Sequence, residues 1–310
     1  MTGEVIEVYH LTKRYGSLLA VDNVTFSVSR GEVFSLLGPN GAGKTTTVEI
    51  IECLRSATSG EVRVLGYDVK DERQVRKIKS LIGVMPQEFN AFERLTVEEN
   101  IKLIAATYGA GPDLRKLLEE TGLWEYRKKL YGKLSGGLKR RVGIAMALVS
   151  DPELISLDEP TTGLDAYARR ETWKFIQSLK SHGKTVLLTT HYLEEAERLS
   201  DRVAIMFKGR IVALDKVTEL IQRESKGVRL ILTGSNQNIE KILSKMGYGW
   251  AKTSEGVIIV SGLTSQESAT ILSKLYESGY TGSAEMAHGG LEEVFLKLTG
   301  ARLTETGDLE

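Results

Sequence analysis

The sequence predicts an α/β protein: a mixed-sheet core with an antiparallel β subdomain and a helical subdomain, followed by a small α+β domain. Three observations predict it. A short apolar run, Val33 to Leu37, stops at a glycine-rich turn and is followed by a helix-forming stretch. Two more apolar, β-prone runs, Leu154 to Leu157 and Thr185 to Thr189, bracket a helical segment, which is how buried parallel strands joined by a crossover helix read. Near residue 222 a polar, turn-prone stretch gives way to a strand–helix–strand–strand–helix–strand order.

Taken in order, the first thirty residues read as antiparallel β, with Val24, Phe26 and Val28 alternating with Thr25 and Ser27. The helix after the glycine turn runs from about Lys44 to Leu54, with Val48, Ile51 and Leu54 on one face. Residues 96 to 150 are mostly helical; Thr96 and Glu99 have capping-box spacing, and Ile101, Ile104 and Tyr108 continue an apolar stripe. Val203 to Met206 and Ile211 to Leu214 flank Phe207-Lys208-Gly209-Arg210 as a hairpin.

Domain boundaries follow from composition. Residues 1–222 form the first domain, the polar stretch Gln222 to Gly227 is a linker, and 223–300 form the small second domain. In that domain strands are expected at 228–233, 249–253, 256–261 and 281–287, with helices at 237–246, 265–278 and 291–298, an order compatible with a ferredoxin-like domain. Residues 301–310 read as a disordered tail.

Composition sets outer limits. Lys+Arg and Asp+Glu are both 41, so the formal net charge is zero and no basic block marks a nucleic-acid-coating protein. A single cysteine, Cys53, excludes an internal disulfide framework and fits a reducing compartment. The N-terminal residues lack the charged-then-apolar pattern of a secretory signal, and no stretch approaches ~18 uninterrupted apolar residues. Any membrane role is therefore expected to come through a partner.

Three motifs carry chemistry. In Gly38-Pro39-Asn40-Gly41-Ala42-Gly43-Lys44-Thr45, the glycines let successive backbone N–H groups turn inward on phosphate oxygens, and the helix behind adds its positive dipole end. Lys44 can reach the β- and γ-phosphates, and the Thr45 hydroxyl can ligate Mg²⁺. In Leu154-Ile155-Ser156-Leu157-Asp158-Glu159, an apolar strand ends in a carboxylate at the sheet edge, where the water shell of a Mg²⁺ ion would sit. Glu159, one residue on, is placed to take a proton from an attacking water. Alone this pattern also describes an ordinary strand end that caps the next helix. In Leu134-Ser135-Gly136-Gly137-Leu138-Lys139-Arg140-Arg141, Ser135 is a natural N-cap and the glycines expose N–H groups, a second anion site without a lysine clamp. Two anion sites in one small domain make sense if the second serves a phosphate held by another copy. Lys139, Arg140 and Arg141 read as a solvated helix face.

This combination resembles the nucleotide-binding domain of ATP-binding cassette (ABC) proteins, with matches from about residue 1 to 222. The resemblance implies a P-loop cassette that binds ATP and Mg²⁺ and hydrolyses ATP. It places the ATP-binding loop on Gly38 through Thr46, that is Gly38, Pro39, Asn40, Gly41, Ala42, Gly43, Lys44, Thr45 and Thr46, and the metal on Thr45, Gln87 and, through water, Asp158. Glu159 falls on the general base, and Ser135-Gly136-Gly137 on the signature that acts on the ATP of the partner subunit. Tyr15, in Lys13-Arg14-Tyr15-Gly16, falls on the aromatic that stacks on adenine. Gln87 falls on the glutamine that contacts the metal site and senses the membrane subunit, Asp165 of Gly163-Leu164-Asp165 on the loop communicating across the dimer, and His191 on the histidine that contacts the γ-phosphate. One departure is Leu138, where the signature usually has a glutamine; it removes a polar contact near the dimer interface.

The phrase Leu291 to Gly300 resembles the small domain that ends bacterial drug- and sodium-exporter ATPases. The resemblance implies an ATPase subunit, dimeric with itself or a cousin, attached to a membrane-spanning permease at the cytoplasmic face of the cell membrane, and exporting rather than importing. The rival reading is a soluble cassette ATPase acting on nucleic acid or ribosomes. Such relatives tend to carry tandem cassettes, a long coiled coil or zinc-ligand cysteines, whereas this chain has one cassette and one cysteine. A P-loop kinase or GTPase would leave Ser135-Gly136-Gly137 without a task.

Overall fold

The computed structural model describes residues 3–109, 113–224, 227–234, 239–253, 256–304 and 306–309. It divides into two compact units: Met1–Val217 together with Leu303–Glu310, and Thr218–Arg302.

In the first unit, β1 (Glu4–Tyr15) and β2 (Leu18–Ser29) pair antiparallel and are followed by β3 (Val33–Leu37) and α1 (Lys44–Ile51). Next come β4 (Ser59–Val64), β5 (Tyr67–Asp68), α2 (Glu72–Leu81) and β6 (Ile82–Met85). The helical stretch holds α3 (Val97–Thr107), α4 (Leu114–Glu120) and α5 (Gly136–Ala147). Then follow β7 (Leu154–Asp158), α6 (Ala166–Ser181), β8 (Thr185–Thr190), α7 (Leu193–Leu199), β9 (Arg202–Phe207) and β10 (Arg210–Lys216), and the second unit begins within α8 (Val217–Glu224).

These strands form two sheets. The antiparallel sheet has the order β2-β1-β4-β5, and the six-stranded sheet the order β10-β9-β3-β8-β7-β6. In the larger sheet β9, β3, β8, β7 and β6 are parallel and only β10 runs against them, through the tight hairpin at Lys208 and Gly209. Alternation along β3 explains the layering. Phe34 and Leu36 pack toward Val28, Val48 and Ile50, while Val33 packs with Ile155, Val186 and Leu188 toward Trp173 and Ile176 of α6. Both faces of the parallel sheet are thus covered, which is why its strands are continuously apolar. The helical stretch closes its own core around Ile101, Leu118, Tyr131 and Val142, and α3 carries the expected capping box between Thr96 and Glu99.

The second unit contains β11 (Val228–Thr233), α9 (Ile239–Lys245), β12 (Ala251–Lys252), β13 (Ile258–Leu263), α10 (Ser265–Glu277), β14 (Ser283–His288) and α11 (Leu291–Thr299). Its antiparallel sheet has the order β12-β13-β11-β14, so the first strand lies between the third and the last, as in a ferredoxin-like arrangement. Leu230, Leu232 and Val260 form the core with Leu243, Ile271 and Leu275. Residues 237–238 of the expected first helix lie outside the described residues, as do 225–226 of the expected linker.

Two expectations differ from the structure. The stretch expected to start a linker is the end of α8, whose Val217 and Leu220 are buried at helical spacing, and the two units part at 217/218 instead of 222. The expected disordered tail returns to the first unit: Leu303 and Leu309 form a β-bridge, and Asn40 donates from its backbone N–H to the Gly307 carbonyl at 2.7 Å. Its glycine turns the chain with φ +83°, and the Thr304 hydroxyl bonds both the N–H and the carbonyl of Asp308, so low hydrophobicity here signals a turn. Residues 305 and 310 of that stretch lie outside the described residues.

Candidate active site

The phosphate loop occupies the gap between β3 and α1, and its shape is set by neighbouring backbone. A Cβ on Gly38 would lie 2.2 Å from the Met206 carbonyl oxygen, and one on Gly43, whose φ is +99°, would lie 2.4 Å from that of Ala20. Only glycine fits between the strands at these two points. Gly43 leads into α1 with no side chain capping the helix start, which leaves its first-turn N–H groups to a ligand anion. Lys44 is buried; its ammonium donates to the carbonyls of Gly38 at 2.7 Å and Pro39 at 3.1 Å and lies 3.7 Å from Glu159 Oε1. Burial lowers the Lys44 pKa, and the charges of Glu159 and Asp158 oppose that shift.

The two acids after the apolar strand occupy different settings. Asp158 is the last residue of β7, buried, and accepts a hydrogen bond from Thr189 Oγ1 on the adjacent β8. Burial raises its pKa, with hydrogen bonds from Thr189 and Thr45 pulling the other way. Glu159 turns out of the strand with a left-handed backbone, φ +47°. Its N–H donates to Thr189 Oγ1 at 3.0 Å. Donors surround its carboxylate: Gln87 Nε2 at 3.1 Å and Thr162 Oγ1 at 3.0 Å on Oε2, with His191 Nδ1 at 3.1 Å and Lys44 on Oε1. Burial alone would raise the Glu159 pKa, but His191, Lys44 and Thr162 outweigh it and hold the group below the ordinary carboxylate value. The site thus keeps Glu159 ionised, the state a proton acceptor needs.

A cleft of about 560 Å³ brings together Tyr15, Asn40 through Thr46, Gln87 and Glu159, with Ala20 and Gly209 on its wall. Gly38, Pro39, Asp158 and His191 stand behind this lining, Asp158 within reach of Thr45 and His191 against Glu159. Tyr15 presents a partly exposed ring at the rim, with Lys13 Nζ 5.0 Å and the Arg55 guanidinium 5.4 Å from its centroid.

The remaining candidates lie elsewhere. Ser135 caps α5, accepting from the Leu138 N–H at 3.5 Å, and with Gly136 is exposed outside the cleft. Asp165 caps α6 through the Ala168 N–H at 2.8 Å and is likewise exposed. A second cleft of about 200 Å³ runs from Gln87 to Gly136 and Leu164. A groove of about 600 Å³ lined by Asp113, Phe175 and His182 contains none of these residues.

Sequence reasoning missed three groups. Arg140, read as part of a solvated helix face, reaches inward from α5 and donates to the carbonyls of Gln87 at 2.8 Å and Glu159 at 3.3 Å, tying the two loops together. Thr189 couples both acids to β8, and Thr162 holds the Glu159 carboxylate. The only sequence signal for Arg140 was the apolar 3.6-residue periodicity of α5. The two threonines had none.

The residues fit a magnesium nucleotide. A glycine cradle that no side chain could share, uncapped helix-start N–H groups and a buried lysine suit a polyphosphate. A hydroxyl and a carboxylate in contact, Thr45 and Asp158, are hard oxygen donors of the kind Mg²⁺ takes.

Comparison with known proteins agrees. A family model described as ABC transporter matches residues 21–162. The Nod factor export ATP-binding protein I of Burkholderia orbicola is 41% identical over 224 residues, covering 71% of this chain and 73% of that protein. The linearmycin resistance ATP-binding protein LnrL of Bacillus subtilis is 32% identical over 313 residues, covering 97% of this chain and 100% of that one. Among solved structures, a post-hydrolysis dimer of the ATP-binding cassette MJ0796 bound to ADP and Pi is 30% identical, with a TM-score of 0.61 over 68% of this chain and 98% of that chain. The fold and the cleft define an ATP-hydrolysing cassette that uses Mg²⁺. The chain belongs to the ABC transporter family, as an ATP-binding subunit whose homologues are of the exporter type.

Proposed function

We propose that two ATPase subunits of this type face head to tail and sandwich two ATP molecules, each between the phosphate loop of one and Ser135-Gly136-Gly137 of the other. The observation that carries this reading is the exposed start of α5, which presents donors outside the cleft of its own chain. Tyr15 would hold the adenine ring, Gly38 through Thr46 the phosphates, and Thr45, Gln87 and Asp158 a magnesium ion, Asp158 through water. Bound Mg²⁺ supplies neutralisation of phosphate charge. Glu159 takes the proton of the attacking water; His191 orients its carboxylate from one side and Gln87 and Thr162 from the other. Asp165 carries the state of one site to the other subunit. Closure and separation drive a membrane-spanning permease through the loop at Gln87, at the cytoplasmic face of the membrane. Among the described residues no helix is long and apolar enough to cross a membrane, so a separate permease is required by this reading. Export is favoured by relatives whose names include Nod factor export and linearmycin resistance.

The test mixes two variants. Ser135→Arg puts a bulky cation into the helix start but leaves the phosphate loop intact, whereas Lys44→Ala disables the loop. Neither is expected to form an ATP-stabilised dimer alone. A mixture pairs one intact loop with one intact signature, and recovers part of the dimer on sedimentation. Dimerisation by either variant alone, or no mixed dimer on cross-linking, contradicts the head-to-tail arrangement.

A further inference from the structure

We propose that the C-terminal turn, described at residues 303, 304 and 306–309, caps the face of the phosphate loop that a second copy of the chain must reach, and that it has to leave before the ATP-bound dimer closes. This rests on the head-to-tail reading above. The turn organises itself: Gly307 N–H donates to the Thr304 carbonyl at 3.0 Å, Thr304 N–H to that of Asp308 at 2.9 Å, and Thr306 Oγ1 to the Asp308 carboxylate at 3.0 Å. It then presents acceptors to the loop. Asn40 donates its backbone N–H to the Gly307 carbonyl at 2.7 Å, and its side-chain amide to the Thr306 carbonyl at 2.9 Å and to Asp308 Oδ1 at 3.5 Å. Two carbonyls and a carboxylate thus occupy donors at the tip of an anion-binding loop.

Gly307 is the point of closest approach. It is buried, has φ +83°, and a Cβ there would lie 2.9 Å from Asn40 Oδ1 and 3.0 Å from His191 Cγ. Asn40 is the tip of the loop, and His191 packs on Glu159. The turn therefore covers the edge where a second copy's Ser135 would approach the γ-phosphate. None of residues 303, 304 and 306–309 lines the nucleotide cleft, while Asn40 does. The cap obstructs closure and leaves nucleotide entry open.

The test compares the full chain with one ending at Arg302 and with Gly307→Val. Three readouts are taken: ATP affinity by calorimetry, the ATP-dependent dimer constant by sedimentation, and hydrogen exchange of the Asn40 region. Both variants are expected to bind ATP within about twofold of the full chain. Both should tighten the dimer at least about fivefold, since releasing hydrogen bonds of ordinary net strength no longer opposes closure. Gly307→Val should also speed exchange at residue 40 in the monomer. An unchanged dimer constant in chains that do dimerise overturns the cap alone. ATP affinity that rises as much as dimerisation overturns it too, because the turn would then block nucleotide. If neither the full nor the shortened chain dimerises with ATP, the head-to-tail reading falls and takes the cap with it.

Discussion

Replacing Glu159 by glutamine isolates proton acceptance from everything else this side chain does. Its two carboxylate oxygens face four donors: Gln87 and Thr162 on one, His191 and Lys44 on the other. A glutamine offers one acceptor and one NH₂ group, so one side of the site must rearrange. Thr162 can turn its hydroxyl, Gln87 can flip its amide and His191 can exchange tautomers. Lys44 keeps its two carbonyl partners and the nearby Asp158 charge. The folding cost is therefore about 1–3 kcal/mol, the loss of satisfied hydrogen bonds to a charged group. Loss of a positioned base costs about 10²–10⁴ in rate, equivalent to roughly 3–5.5 kcal/mol of barrier. Steady-state phosphate release at saturating ATP reads the second number, calorimetric titration with ATP reads ground-state binding, and thermal denaturation reads the first. Release within tenfold of the parent would place the base elsewhere. An equal loss of ATP affinity would mean that Glu159 acts on bound nucleotide instead of on water.

Two further substitutions probe the surroundings. Arg140→Met removes both ties between α5 and the loops of Gln87 and Glu159; turnover is expected to fall about threefold to thirtyfold with ATP affinity within twofold, at about 1–3 kcal/mol of stability, and unchanged turnover would make Arg140 a mere anchor. Glu52, on the turn after α1, is buried beside Ser156 and has its pKa raised to about 7 from 4.5, mainly by burial, with the Asp158 and Glu49 charges adding to it. Its folded pKa lies above its unfolded one, so its ionisation removes stability as pH rises from about 4.5 through about 7, by about 3 kcal/mol at most. Glu52→Gln should accordingly gain stability over the parent in urea titrations at pH 8 and match it near pH 4.5. A gain independent of pH would show that burial of charge is not the cause.

Much of this was legible because it is local. The glycine loop, the apolar strand ending in Asp158, the capping box at Thr96 and the Lys208-Gly209 turn are each written in a few adjacent residues. The ferredoxin-like order followed from the alternation of short strands and helices. What stayed hidden depends on partners far along the chain. Arg140 meets the carbonyls of Gln87 and Glu159, 53 and 19 residues away, and a carbonyl has no sequence signature. The docking of Gly307 on Asn40 closes a still longer loop, and the polar composition of 301–310 pointed to disorder. The boundary moved because Val217 and Leu220 give α8 a buried face that its charged remainder obscures.

The left-handed backbone at Glu159 has a bearing on how this protein would respond to selection. A residue with a Cβ pays of order 1 kcal/mol or more to stay in that conformation, and glycine does not. Glu159→Gly would relax the turn, but it would also strip the acceptor from Gln87, Thr162 and Lys44, and that loss of about 1–3 kcal/mol outweighs the strain it relieves. A search for heat-tolerant variants would therefore leave this position alone, although its backbone is strained. Thermotolerance and turnover would pull the same way at this codon, and either screen alone would keep the glutamate.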